Sequence, residues 1–311
     1  MKYRTLGRTG LKVSEIGLGT MVHAGHFGPM DDKESLSAID TALDLGVNFI
    51  DTSDAYGAGY SETLLGKALK GKRDKVVIAT KGGNIMVGPR GNNYSVPYIS
   101  RVMDESLQRL QTDYIDLYQL HNPKLDVIQR GEVWELLEKR KQEGKIRHYG
   151  VSIGSVEEGM AAVDGGRSES VQIEFSLILQ KPKEVFFPHA REANVGVVAR
   201  APLRRSLLSG KFKAEDQNKF EGEDVRARNF EGDLFAKELA KVESFRFLER
   251  PGRTLAQAAI AYCLAFDAVS VVIAGARNAN QIRANATASD LRLSADELAS
   301  ADAIWRSGFK V

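Results

Sequence analysis

A single cysteine, Cys263, stands in 311 residues, so no intrachain disulfide can hold this fold together. Charge of one sign is also missing. Lys and Arg number 43 against 41 Asp and Glu, a net of +2, which leaves no basic field for nucleic acid or an anionic membrane, and neither partner is expected. The most apolar stretch, TLAQAAIAYCLAF at 254–266, is shorter than a bilayer span and stops at Asp267. The opening MKYRTLGRTG carries no apolar export signal, so the expected compartment is the cytoplasm. No low-complexity tract or domain linker interrupts the chain, and no interaction helix is evident. A single domain over 1–311, monomeric and acting on a small molecule, is the expectation.

Two phosphate-binding fingerprints are absent as well. Gly17 and Gly19 supply half of a GxGxxG pattern, but Thr20, Met21 and Val22 do not complete it. GKALKGK at 66–72 has phosphate-loop spacing until Arg73 takes the Ser/Thr position, and it follows a helix where that motif requires a strand. It reads as a helix end and a turn. His23 and His26 have no third ligand beside them, so no metal is expected.

What the chain does have is alternation. Short β-branched runs fall near 15–19, 46–51, 75–80, 114–119, 147–151, 170–174, 195–199 and 269–273. Helical patterns lie between them at 32–45, 61–70, 97–110, 125–142, 155–163, 182–193, 254–266 and 278–287, followed by a late helix at 295–305. Asp31 with Glu34, Ser61, Pro97, and Ser294 with Glu297 are the start signals. Eight βα units suit a (β/α)8 barrel, although a doubly wound α/β sheet uses the same alternation. Residues 2–13 read as a hairpin across one end. The polar stretch 211–232 is too long for an ordinary βα loop.

Chemistry gathers where strands give way to loops. GVNFIDTSDAY (46–56), KVVIATKGG (75–83) and YIDLYQLHNP (114–123) place Asp51, Tyr56, Lys81 and His121 at such ends, where parallel α/β folds carry their active groups. An ammonium beside a phenol favours phenolate, which predicts a lowered pKa for Tyr56 and a general-acid role. Asp51 would orient Lys81. His121 would hydrogen-bond a substrate oxygen.

In these four residues and their contexts the chain resembles the aldo-keto reductases, over essentially its whole length. The resemblance implies a (β/α)8 TIM barrel with the hairpin on its floor, and reduction of an aldehyde or ketone by hydride transfer from NADPH. It also implies an extended cofactor pose. GVSIGS (150–155) and VQIEFSL (171–177) resemble the segments that hold the carboxamide, implicating Ser152 and Gln172, with Ile153 where the family often has Asn. VVARAPLRRSLLSGK (197–211) resembles the cradle of ring and pyrophosphate, implicating Arg200, Pro202, Leu203, Ser206, Leu208, Ser209, Gly210 and Lys211. Arg200 stands where many relatives have an aromatic; it either stacks on the ring, favouring the reduced form, or pairs with a nearby acid. VVIAGARNANQIRAN (271–285) resembles the adenosine 2′-phosphate site, implicating Gly275, Arg277, Gln281 and Asn285 and favouring NADPH over NADH. Gly19, Thr20, Met21 and Asp51 complete the expected cofactor contacts.

For the substrate pocket the candidates are Met21, His23, Tyr56, Met86 and His121, with His26, Phe27 and Trp305 or Phe309 as further walls. The stretch 82–94 is either a lid or a surface loop, and 211–232 either closes over the cofactor or is a solvated excursion. Two other functions fit parts of the pattern: a cofactor-sensing regulator of the same fold, like channel β subunits, and a barrel lyase using Lys81 as a Schiff-base amine.

Overall fold

The computed structural model describes residues 1–86, 90–222 and 224–309. Each expected apolar run forms a strand: β1 (Ile16–Gly19), β2 (Phe49–Asp51), β3 (Val77–Gly82), β4 (Ile115–His121), β5 (Ile146–Ser152), β6 (Ser170–Glu174), β7 (Gly196–Arg200) and β8 (Val269–Gly275). All pair in parallel with their sequence neighbours, and β8 pairs with β1, closing a barrel. The (β/α)8 alternative is therefore the one adopted, with helices packed around the outside.

Strand parity explains both what fills the barrel and where its chemistry sits. Alternate residues of a strand face one side. Phe49, Val77, Ala79, Leu117, Val198, Val271 and Ile273 form one apolar cluster inside, while Ile50, Ile78, Tyr118 and Val197 belong to the outer core against the helices. Following the inner positions upward, Phe49 leads to Asp51, Ala79 to Lys81, Leu117 to Gln119 and His121, and Val198 to Arg200. The interior turns from apolar to polar within two residues. Gly17 matches the fill at mid-barrel, since a Cβ there would lie 3.0 Å from the side chains of Ile273, Phe49 and Val271.

The hairpin expected at 2–13 closes the lower end, pairing Tyr3–Thr5 with Lys12–Ser14. Leu6 and Val13, both fully buried, pack into the interior cluster. Gly7, at φ +47°, lies so close to the backbone of 194–196 that a Cβ would come within 2.2 Å of Gly196 N. Arg4 fastens the hairpin, bonding Glu15 Oε1 at 2.8 Å and the Leu264 and Val269 carbonyls at 2.8 Å each.

Several helix boundaries differ from the sequence reading, each for a local reason. The expected helix at 125–142 is two, Leu125–Gln129 and Glu132–Gln142, because Arg130 is extended and Gly131 begins the second. Trp134 Nε1 donates to the freed Ile128 carbonyl at 2.8 Å. Residues 182–193 become a 3-10 turn, Lys181–Lys183, and a helix, Phe186–Glu192. Ser61 does not cap its helix, which starts at Tyr60 from Gly59; instead Ser61 Oγ donates to Thr20 Oγ1 at 2.7 Å. Asp31 and Ser294 cap as expected. Within 211–232 the chain forms a 3-10 turn (Ala214–Lys219) and a short helix (Val225–Asn229), and the sequence reading missed the helix Leu234–Glu243 that follows. Phe212, Phe220, Phe230 and Phe235 cluster there with ring centroids 5.5–6.3 Å apart, giving the excursion its own small core. Among the described residues no helix is long and apolar enough to cross a membrane.

Candidate active site

Lys81 is the centre of the upper barrel. Its side chain is fully buried and its Nζ donates to Asp51 Oδ1 at 2.6 Å, to the Thr52 carbonyl at 2.8 Å and to Tyr56 Oη at 3.4 Å. Burial pulls the Lys81 pKa down, but the carboxylate of Asp51 and the phenol of Tyr56 outweigh it, and the net shift is upward. That holds Lys81 as an ammonium, the wrong state for the Schiff-base amine considered above.

Tyr56 sits in a turn whose backbone is pinned to the end of β3. Thr52 N donates to Ala79 O at 2.8 Å, Asp54 N to Lys81 O at 3.2 Å, and Tyr56 N to Ser53 O at 3.1 Å. The Tyr56 ring meets His121 edge-on at 5.9 Å and His26 at 6.0 Å. One expectation is reversed here. Burial raises the Tyr56 pKa by more than Lys81 lowers it, so this phenol keeps its proton more firmly than a free tyrosine does. His121 is pushed well below the usual imidazole range by burial first, then by the charges of Lys81 and Arg200, so it is neutral. Its Nδ1 lies 3.0 Å from Ser53 Oγ, and its carbonyl accepts from Tyr94 Oη at 2.7 Å.

Ser152 and Gln172 are brought to the same point and bonded to each other. Ser152 Oγ donates to Gln172 Oε1 at 3.3 Å, and Gln172 Nε2 donates to Asp51 Oδ2 at 2.7 Å and Gln119 Oε1 at 3.2 Å. Gln119 was missed, although its place two residues before His121 on one strand puts it on the same inner face. Ile153, fully buried in the outer core, turns its side chain away from this network, and its carbonyl accepts from Arg200 Nη2 at 3.1 Å.

The acid-pairing alternative for Arg200 is realised. Glu174, its register partner across β6 and β7, sits 3.5 Å from Arg200 and also binds Arg204 at 2.8 Å and Arg205 at 3.4 Å. Burial would raise the Glu174 pKa, but the three guanidinium groups bring the net below the ordinary value. This cluster, with Glu238 on Arg204 at 2.8 Å, braces a strained turn in which Ala201, Arg204, Arg205 and Ser206 all have positive φ. Pro202, Leu203, Ser206, Ser209, Gly210 and Lys211 follow one another along that turn and just past it. Leu208 differs from these neighbours. Its side chain is fully buried in the outer core, and its backbone N–H donates to the Leu203 carbonyl at 3.1 Å.

On the next two strands around the barrel from β7, Gly275 of β8 and Gly19 of β1 face each other in register, and a Cβ on either would meet backbone of the other only at 3.8 Å. They leave an open shelf at the barrel mouth. Thr20 Oγ1 donates to the Asp51 carbonyl at 2.9 Å, with Met21 next to it half-buried. Arg277 reaches the Phe27 carbonyl at 2.7 Å and the Pro29 carbonyl, and its backbone N–H donates to Gln281 Oε1 at 2.8 Å. Asn285 is buried, with its amide directed at the Gly275 carbonyl at 3.4 Å. His23 is 2% exposed, neither ring nitrogen has a hydrogen-bond partner among the described residues, and burial followed by the charge of Arg277 lowers its pKa to about 4. It therefore lies toward Arg277, on the expected cofactor side.

Of the other proposed walls, Met86 is half-buried, next to Val87–Pro89 of the lid candidate 82–94, which are outside the described residues. The excursion at 211–232 is tied to the first loop: Val225 N donates to His26 O at 2.9 Å and Arg226 to Phe27 O at 3.1 Å. Trp305 and Phe309 engage outer elements instead. Lys183 lies over the Trp305 ring at 5.2 Å, and Phe309 packs on Phe245 at 6.2 Å.

The comparisons with known proteins agree with this fold. The model of the aldo/keto reductase family matches residues 15–306. YqkF of Bacillus subtilis (strain 168), an uncharacterized oxidoreductase, is 34% identical over 300 residues, 96% of this chain and 94% of its own. The holo form of the aldo-keto reductase AKR11C1 from Bacillus halodurans superposes with a TM-score of 0.81 at 35% identity, covering 98% of this chain and 96% of that one. An aldo/keto reductase from Klebsiella pneumoniae, solved in complex with NADP and acetate, gives 0.74 at 26% identity over 98% and 95% of the two chains. The chain belongs to the aldo/keto reductase family and is an NAD(P)H-dependent oxidoreductase.

Proposed function

We propose that this protein reduces an aldehyde or ketone to the alcohol with NADPH, Tyr56 delivering the proton. The observation that carries this reading is the chain Asp51–Lys81–Tyr56 at the barrel mouth, with the neutral His121 ring set edge-on to Tyr56.

The residues present suit a nicotinamide dinucleotide. Among the described residues, two of the five N–H donors of Arg277 are used by backbone carbonyls, leaving three for a 2′-phosphate. His23 offers buried, unpartnered nitrogens beside it, Arg200 Nε is likewise buried without a partner, and the Gly19–Gly275 shelf lies open between them. Arg277, Gln281 and Asn285 would hold the adenosine end; Ser152 and Gln172 would hold the carboxamide. Bound there, the reduced nicotinamide supplies a hydride to the carbonyl carbon.

As hydride arrives, the carbonyl oxygen gains negative charge and takes the Tyr56 proton. A raised tyrosine pKa keeps the proton on the phenol until that moment. Lys81, held as an ammonium by Asp51, then faces the phenolate left behind and stabilises it. His121, neutral, can donate a hydrogen bond to the same oxygen without surrendering a proton. Solvent returns the proton to Tyr56 after the alcohol leaves.

Fluorescence titration with NADPH and NADH, followed by an aldehyde panel monitored at the reduced-nicotinamide band, tests this reading. Tighter binding of NADPH and substrate-dependent oxidation are expected. Tyr56→Phe should lower reduction by about 10²–10⁴-fold with cofactor affinity nearly unchanged; wild-type rates in that variant would remove Tyr56 from the role.

A further inference from the structure

Behind His121 lies a hydrogen-bonded chain that the mechanism above does not use. Ser53 Oγ is 3.0 Å from His121 Nδ1 and 3.1 Å from Asp54 Oδ1, and it accepts from the Ala55 backbone N–H at 3.1 Å. Its longer contact, to the Lys81 carbonyl, is 3.4 Å. Ser53 is fully buried, which shields the oxygen from bulk solvent.

A hydroxyl has one proton to donate and two lone pairs. The Ala55 N–H takes one lone pair, which leaves a single acceptor place to be shared between Asp54 and His121. If Asp54 is protonated, it donates to Ser53, Ser53 donates to Nδ1, and the His121 proton must sit on Nε2. If Asp54 is a carboxylate, Ser53 donates to it, and the free acceptor place takes a proton from Nδ1. Nε2 is then a bare lone pair. Both arrangements satisfy every group in the chain; they run in opposite directions, and the second holds one proton fewer, which has passed to solvent.

We propose that Ser53 and Asp54 form a proton-ordering relay that selects the His121 tautomer, making Asp54 a positioning residue that sets whether Nε2 donates to a carbonyl or accepts from an alcohol. The inference rests on the reading of His121 as the group facing the substrate oxygen. With Asp54 protonated the site favours carbonyl reduction; with Asp54 ionised it favours the reverse oxidation. No net proton moves along the chain during turnover, because the relay orders hydrogen bonds before the substrate arrives.

The surroundings place the switch in an ordinary pH range. Burial, then the nearby carboxylate of Glu62, raise the Asp54 pKa to about 7, offset in part by Ser53 and by Arg109. Glu62 is itself held by Arg109 Nε at 2.7 Å and by Thr80. Tyr94, Tyr98 and Tyr118 also feel the Asp54 charge, each through a raised pKa. Lys81 and Arg200 face His121 from the other side.

The test is ¹⁵N NMR of the histidine rings in the full-length protein from pH 5.5 to 9, assigned to His121 with a His121→Gln variant. The expected result is an Nε2–H tautomer at low pH crossing to Nδ1–H near pH 7. Ser53→Ala, which cuts the chain, and Asp54→Asn, which cannot ionise, should each abolish the crossover. In parallel, kcat/KM for aldehyde reduction should fall about tenfold per pH unit above the transition in the wild type and lose that limb in Asp54→Asn, with NADPH affinity unchanged. One tautomer throughout, or a crossover that survives Asp54→Asn, overturns the relay. A crossover in a protein that reduces no aldehyde supports the relay and refutes the reductase reading instead.

Discussion

Gln172 donates its side-chain amide to Asp51 Oδ2 at 2.7 Å, joining two residues 121 positions apart in the chain. Lys81 holds the other oxygen at 2.6 Å, so the carboxylate is fixed at both ends and cannot rotate away from the ammonium. Gln172→Met keeps the length of the side chain and removes the donor. Stability should fall by about 1–3 kcal/mol, the usual cost of an unsatisfied buried acceptor. Denaturant unfolding reads this loss, and a wild-type midpoint would show that Asp51 does not depend on Gln172.

The ion pair itself predicts a larger, non-additive effect. Lys81→Met leaves the Asp51 carboxylate buried and unpaired, costing about 3–5 kcal/mol. Combining it with Asp51→Asn should recover a substantial part, because the stranded charge is gone, while leaving the protein inactive. A double-mutant cycle by urea denaturation measures the coupling; strict additivity would count against it.

Gly66 tests packing against propensity. In an exposed helix Gly→Ala gains about 1 kcal/mol. Here a Cβ would lie 2.5 Å from the Arg109 carbonyl oxygen and 2.9 Å from Leu110 C, both backbone, so the two helices must separate. Overpacking costs about 1–3 kcal/mol, and Gly66→Ala should therefore lower the melting temperature. A rise would mean that the helix Val96–Leu110 yields easily.

Glu297 carries an acid-sensitive contribution. It binds the Arg253 guanidinium and closes a capping box with Ser294, and the hydrogen bond from Arg253 is the main reason its pKa falls to about 2. A carboxylate whose folded pKa is depressed adds stability above its unfolded value near 4.5 and loses it as pH falls toward 2. Because the pair is partly solvated, about 1 kcal/mol is expected. Glu297→Gln should flatten the decline in stability between pH 5 and 3, as measured by guanidinium titrations; an unaltered slope would remove this pair from the acid response.

Legibility followed the length scale of the cause. Strand parity is local, so Asp51, Lys81 and His121 could be located at strand ends, and the caps Asp31 and Ser294 could be read from neighbouring residues. Burial belongs to the assembled fold. The pattern therefore supplied the attraction of Lys81 for Tyr56 but not the desolvation that exceeds it, and the Tyr56 shift has the opposite sign. Glu174 faces Arg200 only because β6 and β7 are in register, which left the pairing of Arg200 open until the barrel was seen. The helix Leu234–Glu243 was overlooked because its apolar face packs on the aromatic cluster of a stretch that looked merely polar.

The hairpin at the floor has a consequence for the order of events in turnover. With Leu6 and Val13 sealed into the lower end, the barrel is a well with one rim, and everything that reaches Tyr56 passes the same opening. A long ligand lying along that rim and a small one above Tyr56 would share this opening, which favours loading in sequence and unloading in reverse. Saturation with the small ligand should slow escape of the long one, and a mutation at the floor, however destabilising, should leave that sequence unchanged.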